Sequence, residues 1–277
     1  MVPRPVPARL HVLLASESPA AVVIRRGPSR HTAVIGWDRK TDKFEMGQWL
    51  YGRIYERRCD ISPDGCHLIY FAMNGRWDSA VKGSWTAISK VPYLKAVALY
   101  AKGDCWNGGG LFVSRHEYWL NDGYGHEKQR DQSGLVRFGD YPWHEHYGGE
   151  CPGVYYVRLQ RNGWTMKCAA ADDAGGRIVV FEKRVSAQWN LRKIAHATVH
   201  HPVGTGCYFD EHELCNTRTH EVISCQRWEW ADVDGGRIVW AADGKLFAAR
   251  LGPKGLGTVK ELQDFNALRF EALEAPY

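Results

Sequence analysis

The chain has 277 residues, of which 44% are hydrophobic and 24% are charged, so it can form a folded core and does not have the composition of a disordered protein. Its formal net charge of +5 is mild, and its densest basic cluster, Arg57 and Arg58 beside Arg53, is too short for a nucleic-acid-binding stripe. The sequence contains no apolar run of about 18 residues, the length that a membrane-spanning helix requires. We therefore expect neither a nucleic-acid partner nor a membrane partner.

The excess residue types are those of short strands joined by tight turns. The chain has 12 Trp, 13 Tyr and 29 Gly, and long helical patterns are few. Aromatic residues favour strands, and glycine supplies the backbone conformations that tight turns need. The composition therefore predicts an all-β fold.

The chain begins MVPRPVPARLHVLLASESPAA, in which arginines precede a short apolar stretch and small residues follow it, as in a secretory signal. The apolar stretch, LHVLLA, is shorter than the roughly seven residues that a signal core needs, and two prolines precede it. We predict that this segment is a mature N-terminal strand and that the protein is cytoplasmic.

Two hairpins are predicted in the first quarter of the chain. The stretch 33–50, AVIGWDRKTDKFEMGQWL, has two strand-like halves around a polar turn. The stretch 59–71, CDISPDGCHLIYF, has two halves around the turn Ser-Pro-Asp-Gly. Cys59 and Cys66 flank that turn and could approach each other across it, so a disulfide and two free thiols are both open alternatives.

A turn glycine followed by a β-rich run recurs along the chain. It returns as DDAGGRIVVF at 172–181 and DVDGGRIVWA at 232–241, and more faintly as NGGGLFV at 107–113 and SPAAVVI at 18–24. With 62–71, these five marks give a period of roughly 50–55 residues, which lies in the range of propeller blades. Asp60, Asp172 and Asp232 recur with the turns, and we interpret them as residues that bond backbone amides at their own corner.

The segments between the marks predict the rest of each unit. Residues 153–167 and 244–260 share a Gly, an alternating strand, Arg-Leu, a Gly-containing turn and a second strand that ends in Lys. Two hairpins supply four strands, which bury enough surface only when units cover one another. We predict one β-propeller domain over residues 1–277, with five four-stranded antiparallel blades, and a β-sandwich as the alternative. The C-terminal segment 261–277 is expected to complete a blade begun by the N-terminal strand.

The segment DISPDGCHLIYF, 60–71, resembles the Ser-Pro-Asp-Gly hairpin of TolB-type and WD-like propeller repeats. The resemblance covers one good copy and two variants, in which DDAGG and DVDGG replace the turn. It implies a propeller architecture in which the turn joins two strands of one blade, and it implies no catalytic residues.

The largest departure from the repeat is an irregular insertion at about 116–153, which is rich in Trp, Tyr, His and Gly. Long aromatic connections on a regular scaffold are typical of binding loops. Of the aromatic set Trp77, Trp85, Tyr93, Trp106 and Trp119, we expect most to be core. Exposed platforms for a sugar or a protein partner are predicted at five residues: Trp106, Trp119, Tyr124, Trp143 and Tyr147.

Two groups of histidines could hold a divalent metal such as zinc, although neither has a recognised zinc spacing. In WHEHY, His144 and His146 share one side of an extended chain. The residues that could join them are His126, Asp140 and Glu150. The second group lies in 196–215 and comprises His196, His200, His201, His212, Cys207 and Cys215. Ordinary hydrogen-bonding histidines are the alternative, and we expect no cofactor.

The sequence carries no nucleophile elbow, phosphate-binding loop or dinucleotide fingerprint. The function expected is therefore non-catalytic: a propeller that binds a partner, protein rather than carbohydrate, through one face and the 116–153 segment. The alternative is a hydrolase, glycan-directed or metal-dependent, with its site at a central opening near His144 and His146.

Overall fold

A computed structural model describes residues 6–27, 30–144, 147, 150–171, 176–198 and 206–277. Strands account for 51% of the chain and helix for 5%, so the fold is all-β. The strands form five blade sheets, and the fold is a five-bladed β-propeller, as the sequence predicts. Within the described residues, no helix is long and apolar enough to cross a membrane.

The strands are, in chain order, β1 (Arg9–Leu14), β2 (Ala20–Arg26), β3 (His31–Asp38), β4 (Lys43–Tyr51), β5 (Arg53–Ile54), β6 (Asp60–Ile61), β7 (His67–Met73), β8 (Ser84–Lys90), β9 (Ala96–Ala101), β10 (Gly110–Phe112), β11 (Glu117–Leu120), β12 (Glu127–Asp131), β13 (Val136–Phe138), β14 (Thr165–Ala171), β15 (Arg177–Arg184), β16 (Trp189–Ala197), β17 (Tyr208–Asn216), β18 (Val222–Ser224), β19 (Trp230–Asp234), β20 (Arg237–Ala242), β21 (Lys245–Ala249), β22 (Leu251–Gly252), β23 (Gly255–Leu256) and β24 (Lys260–Asp264). One α-helix, α1 (Pro152–Arg161), precedes β14, and a 3-10 turn spans Glu56–Arg58.

The blades differ in size, whereas the sequence predicts four strands in each. The first sheet is β1–β2–β3–β4, and the fifth is β19–β20–β21–β24. The second has the order β12–β9–β8–β7–β5 with β6 also on β7, the third is β10–β11–β13, and the fourth is β14–β15–β16–β17–β18. The segment 116–153 explains part of the difference, because it supplies β11 and β13 to the third sheet and β12 to the second.

The chain divides into two compact units. One comprises His11–Leu159 with Leu268–Tyr277, and the other comprises Gln160–Ala267 with Pro7–Leu10. In the first unit, apolar strands of the first two sheets pack face to face through Val22, Ile24, Leu68 and Tyr70, each at most 2% exposed. Burying each such side chain contributes about 1.5–3 kcal/mol, so the β-branched runs drive this packing.

The predicted hairpins are confirmed. β3 pairs with β4, β6 pairs with β7 around Ser-Pro-Asp-Gly, and β19 pairs with β20 around two glycines. In the second of these turns, Asp64 rather than Asp60 fixes the corner, because its Oδ1 accepts the Ser62 hydroxyl and the Cys66 amide.

The role predicted for the recurring aspartates is only partly right where the structure describes them, because each also bonds to a separate element. Asp60 is fully buried, and its Oδ2 accepts the amide of Phe112 in the third sheet at 2.8 Å. Asp232 accepts the amide of the adjacent Val233 at 2.7 Å, as predicted, and it also accepts Lys183 Nζ at 2.7 Å and the indole N–H of Trp164 at 3.3 Å. Both carboxylates therefore tie separate elements together, and Asp172 lies outside the described residues.

Residues 153–161 are helical, so the alternating strand predicted over 153–167 is wrong in its first part. Proline at position 152 is favourable in a first helical turn because it has no N–H to leave unsatisfied. The carbonyl of Cys151 accepts the first helical amides, and Gly163 ends the segment with φ +85°. Val154 to Leu159 are all buried, and this all-round burial outweighs the β propensity of Val and Tyr.

The predicted closure of one blade by the two ends of the chain is wrong. The N-terminal strand β1 and the C-terminal strand β24 lie in different sheets, so they do not complete one blade.

Cys59 and Cys66 are both free thiols, and burial raises the pKa of each.

Candidate binding surface

Three loops lie at one end of the second and third sheets. Loop 74–83 joins β7 to β8, loop 102–109 joins β9 to β10, and loop 121–126 joins β11 to β12. The strand registers bring these strand termini together: Met73, the last residue of β7, pairs with Ser84, the first of β8, and Ala101, the last residue of β9, pairs with Glu127, the first of β12. We call residues 74–83, 102–109 and 121–126 the loop surface.

Direct contacts join the three loops. Lys82 forms a 2.7 Å ion pair with Glu127, at the start of β12, and the Gly108 amide donates to the Asn121 carbonyl at 2.8 Å. Gly123 has φ +54°, and a Cβ there would lie 2.4 Å from the side-chain nitrogen Nδ2 of Asn107, so the two loops approach closely at this glycine. The loops therefore pack as one surface and not as separate projections.

Each loop presents one large aromatic side chain to solvent. Trp77 is 52% exposed, Trp106 is 57% exposed and Tyr124 is 66% exposed. Exposed large aromatic side chains on ordered loops are characteristic of binding anchors, because they bring apolar area to a partner with few rotatable bonds to fix. This trio is the most distinctive feature of the surface.

A buried lysine holds the Tyr124 loop in place. The side chain of Lys102 is fully buried, and its ammonium group donates to the Tyr124 carbonyl at 2.7 Å and to Asp104 at 3.0 Å. The same nitrogen lies 4.6 Å from the centroid of the Tyr124 ring, a cation–π contact. Asp104 also caps its own loop by accepting the Trp106 amide at 2.8 Å. One ion pair thus positions two of the three exposed aromatics.

A hydrogen-bond chain fixes the far end of loop 121–126. His126 Nδ1 lies 2.8 Å from Asp122 Oδ1, its Nε2 lies 3.0 Å from the Thr86 hydroxyl, and Arg137 donates to Asp122 Oδ2. Burial lowers the pKa of His126 by more than Asp122 raises it. Burial raises the pKa of Asp122, but hydrogen bonds from Arg137 and His126 leave it lowered overall. The pair is therefore a neutral imidazole beside a carboxylate at neutral pH.

The order Asp122–His126–Thr86 has the connectivity of an acid–base–nucleophile triad. Thr86 is 0% exposed, however, and its oxygen already accepts the Gly109 amide at 2.8 Å. A nucleophile must reach its substrate, so this geometry supports a structural role. The hydrogen bonds of Asp122, His126 and Thr86 connect loop 102–109 to loop 121–126 through β8, in the second sheet.

Arg58 anchors the loop surface from beneath. Its side chain is 2% exposed, and its guanidinium donates to the Cys105 carbonyl at 2.7 Å and to the Asn107 carbonyl. It also forms an ion pair with Glu150, whose own carbonyl accepts Asn121 Nδ2 at 3.2 Å. An arginine buried with several partners fixes backbone carbonyls that would otherwise lack donors. The loops are consequently preorganised.

The five predicted platform residues lie in three different environments. Trp106 and Tyr124 lie on the loop surface, whereas Trp119 and Trp143 are half-buried and form a cluster with Tyr141. The ring centroids of Trp119 and Tyr141 are 4.9 Å apart, in an edge-on contact. Tyr147 is only 9% exposed and packs on Tyr156 of α1 at 5.3 Å, so it offers little surface to a partner.

Trp77 belongs to an aromatic set of which the sequence predicts most to be core, and it is 52% exposed. Its six-membered ring covers Gly83, where a Cβ would lie 2.5 Å from the ring, and the rest of the indole faces solvent. The signal that selected Trp106, a Trp within a polar and Gly-containing stretch, is also present in NGRWDSAVKG, 74–83. Trp85, by comparison, is buried as expected.

The candidate metal residues do not form a cluster of ligands where they are described. His144 is exposed, His146 lies outside the described residues, and His126 is already bonded to Asp122 and Thr86. In the second group, His196 stacks on Phe209 at 4.3 Å, and His212 is buried against Lys193. His200 and His201 lie outside the described residues. Among the residues that the structure does describe, no group of three His, Cys, Asp or Glu side chains converges.

Comparison with protein-family models gives no match, and comparison with curated proteins gives none either. The likeness to TolB-type and WD-like repeats is therefore a local likeness of one hairpin within a five-bladed propeller.

Proposed function

We propose that this propeller is a non-catalytic binding protein that recognises a protein partner through the loop surface. The observation that carries the proposal is the trio Trp77, Trp106 and Tyr124, each more than half exposed. Trp106 and Tyr124 stand on loops that Lys102, His126 and Arg58 fix from below, and the ion pair of Lys82 with Glu127 ties the Trp77 loop to the start of β12. Preformed loops lose little conformational entropy on binding, which favours affinity.

The surroundings of the trio favour protein over carbohydrate. Charges of both signs lie on and beside the same loops, at Arg76, Asp78, Lys82, Asp104 and Glu127. Aromatic anchors within a polar rim of mixed charge are the usual anatomy of a protein–protein interface. The half-buried cluster of Trp119, Tyr141 and Trp143 adds an aromatic area on the 116–153 segment.

The proposal is tested by affinity capture from an extract of the cells that make the protein, followed by quantitative mass spectrometry. The variant is Trp106→Ala with Tyr124→Ala, and the matched control is Tyr51→Ala, which removes another aromatic side chain that is 52% exposed. Anchor residues contribute about 2 kcal/mol or more each, so the double variant should reduce the recovery of the true partner at least about tenfold.

The control protein should retain the partner at the wild-type level. Equal recovery by the double variant and the wild type would show that the loop surface is not the binding site. The extract is also treated with glycosidases: recovery that persists supports protein recognition, and recovery that disappears would assign the surface to carbohydrate. Melting temperatures of all three proteins establish that the exposed substitutions leave the fold intact.

A further inference from the structure

The first unit contains an open cleft of about 640 Å³ at the other end of the second sheet from the loop surface. It lies between the turns of the first two sheets, where β1 leads to β2, β3 leads to β4, and β6 leads to β7. Val91 and Pro92, which follow β8, complete it. Its volume falls within the 300–1,000 Å³ that is typical of sites for small molecules.

Small residues create the cleft. Ala20, Ala21, Gly36 and Gly65 line it. Gly65 has φ +79°, and a Cβ there would lie 2.4 Å from the Cβ of Ala20, so the turn cannot carry a side chain at this position. The glycine at position 65 therefore allows the turn between β6 and β7 to approach Ala20 closely.

Arg39 holds one wall of the cleft in place. Its guanidinium donates to the carbonyls of Ala15 at 2.7 Å, Pro19 at 3.2 Å and Ser18, which together form the turn before β2. On the adjacent wall, Phe44 stacks on Trp37 with ring centroids 5.7 Å apart and planes 9° apart. With Pro19, Val91 and Pro92, these rings make most of the lining apolar.

The charged groups of the lining are mainly acidic. Asp38, Glu45 and Asp64 contribute three carboxyl groups, against one ammonium group from Lys43. Hydrogen bonds from the Thr41 hydroxyl and the Lys40 amide lower the pKa of Asp38. Burial raises the pKa of Asp64, but bonds from Ser62 and Cys66 outweigh it and leave the pKa lowered. These two carboxylates thus stay ionised well below neutral pH.

We propose that the cleft binds a small organic cation, an apolar ring or chain that carries one ammonium group. The apolar wall accepts the body of such a ligand, and the three carboxylates complement its charge. A carboxylate-bearing ligand of the same size would meet repulsion from the same groups. The proposal concerns a site separate from the loop surface, so either can fail without the other.

The test uses three compounds of nearly equal shape: 2-phenylethylamine, 2-phenylethanol and phenylacetate. Binding is followed by backbone amide chemical shifts in a titration of the full chain at neutral pH and low salt. We expect the amine to shift the amides of Ala20, Gly36 and Gly65, with at least about tenfold higher affinity than the alcohol and no saturable shift for phenylacetate. Added salt should lower the affinity for the amine and leave the affinity for the alcohol unchanged.

Two variants localise the effect. Glu45→Gln should weaken binding of the amine by about fivefold, the upper range for an exposed charge pair, and Glu127→Gln, at the start of β12 beside the loop surface, is the matched control. Ala20→Leu should fill the cleft and abolish binding in a protein whose spectrum remains folded. Equal affinity for amine and alcohol, or full affinity in both Glu45→Gln and Ala20→Leu, would overturn the proposal. A lysine-containing peptide that bound tenfold more tightly than 2-phenylethylamine would also overturn it, because the occupant would then be a peptide.

Discussion

Buried charged side chains hold the exposed aromatic residues of the loop surface in position. Lys102 and Arg58 are removed from water, and each donates to backbone carbonyls of the loops above it. A buried cation that lacked such acceptors would be costly, so the loop backbone and the cation stabilise each other. The second unit also buries a lysine, but with side-chain partners: the ammonium of Lys193 lies 3.2 Å from His212 Nε2 and 3.8 Å from Asp210.

Sequence reasoning identifies some of these residues and not others. Trp106 and Tyr124 stand in polar, Gly-containing stretches, and that local context predicts their exposure. The burial of Tyr147 depends on Tyr156, and the burial of Lys102 depends on loop 121–126, contacts that no local pattern encodes. Exposure set by contacts distant in sequence is therefore the part that the sequence does not reveal.

Replacing His126 should reduce the dependence of stability on pH. The folded state lowers the pKa of His126 through burial, so the unfolded chain binds this proton first as the pH falls below about 6.5. The free energy of unfolding of the wild type should therefore decrease from about pH 6.5 downward, until the folded-state pKa is passed. Urea unfolding at pH 8 and pH 5 measures the difference.

In the His126→Asn variant that pH-dependent difference should become smaller. At pH 8 the variant should itself be less stable by about 1–2 kcal/mol, because the Thr86 hydroxyl loses its acceptor. His116→Asn, at an exposed position, is the matched control and should keep the wild-type difference. If His126→Asn kept the wild-type difference in unfolding free energy between pH 8 and pH 5, protonation of the His126 imidazole would not be the cause of the pH dependence.

At the scale of elements, α1 is the largest difference between expectation and structure. Its sequence, PGVYYVRLQR, is rich in strand-forming residues, yet it is buried on nearly every side. Its Arg158 is 5% exposed and donates to the carbonyls of Glu56 and Cys59 and to His11 Nε2. Long-range packing and these bonds decide the conformation, whereas the hairpins follow from local turn chemistry that the sequence displays.

Arg158→Lys should destabilise the protein by about 2–4 kcal/mol, because one ammonium cannot reach all the acceptors that the guanidinium serves. The matched control is Arg227→Lys, at a side chain that is 83% exposed, where a change within about 0.5 kcal/mol is expected. Urea unfolding of both variants gives the comparison. Equal stability of the two variants would mean that the Arg158 bonds do not anchor α1.

At the scale of the whole molecule, the sequence predicts the architecture better than its details. Turn glycines before β-rich runs mark β7, β10, β15 and β20, and the glycine-free turn Ser-Pro marks β2, so one such turn precedes a strand of each blade sheet. Those marks are local and repeat with the blade, so the blade number can be read from them. Strand pairing at the sheet edges depends on partners that no local pattern identifies, so the sequence does not reveal that β12 pairs with β9 or that β24 pairs with β21.

The C-terminal tail gives a test at the same scale. Residues 268–277 belong to the first unit, where Gln48 Nε2 donates to the Leu273 carbonyl at 2.7 Å and Phe270 contacts His31 and Trp49. The Tyr277 hydroxyl accepts the Lys90 amide at 3.0 Å and donates to the Lys95 carbonyl at 2.8 Å. The tail thus stabilises this unit through side-chain contacts, although it forms no strand.

Deleting residues 268–277 should lower the melting temperature by roughly 4–8 °C, the equivalent of about 2 kcal/mol for a chain of this size. Tyr277→Phe removes only the two bonds of the hydroxyl, so it should lower the melting temperature by about half as much. Glu271→Ala, at an exposed tail position, is the control and should melt with the wild type. Calorimetry of the four proteins measures the series, and a truncated chain that melts at the wild-type temperature would show that these contacts add no stability.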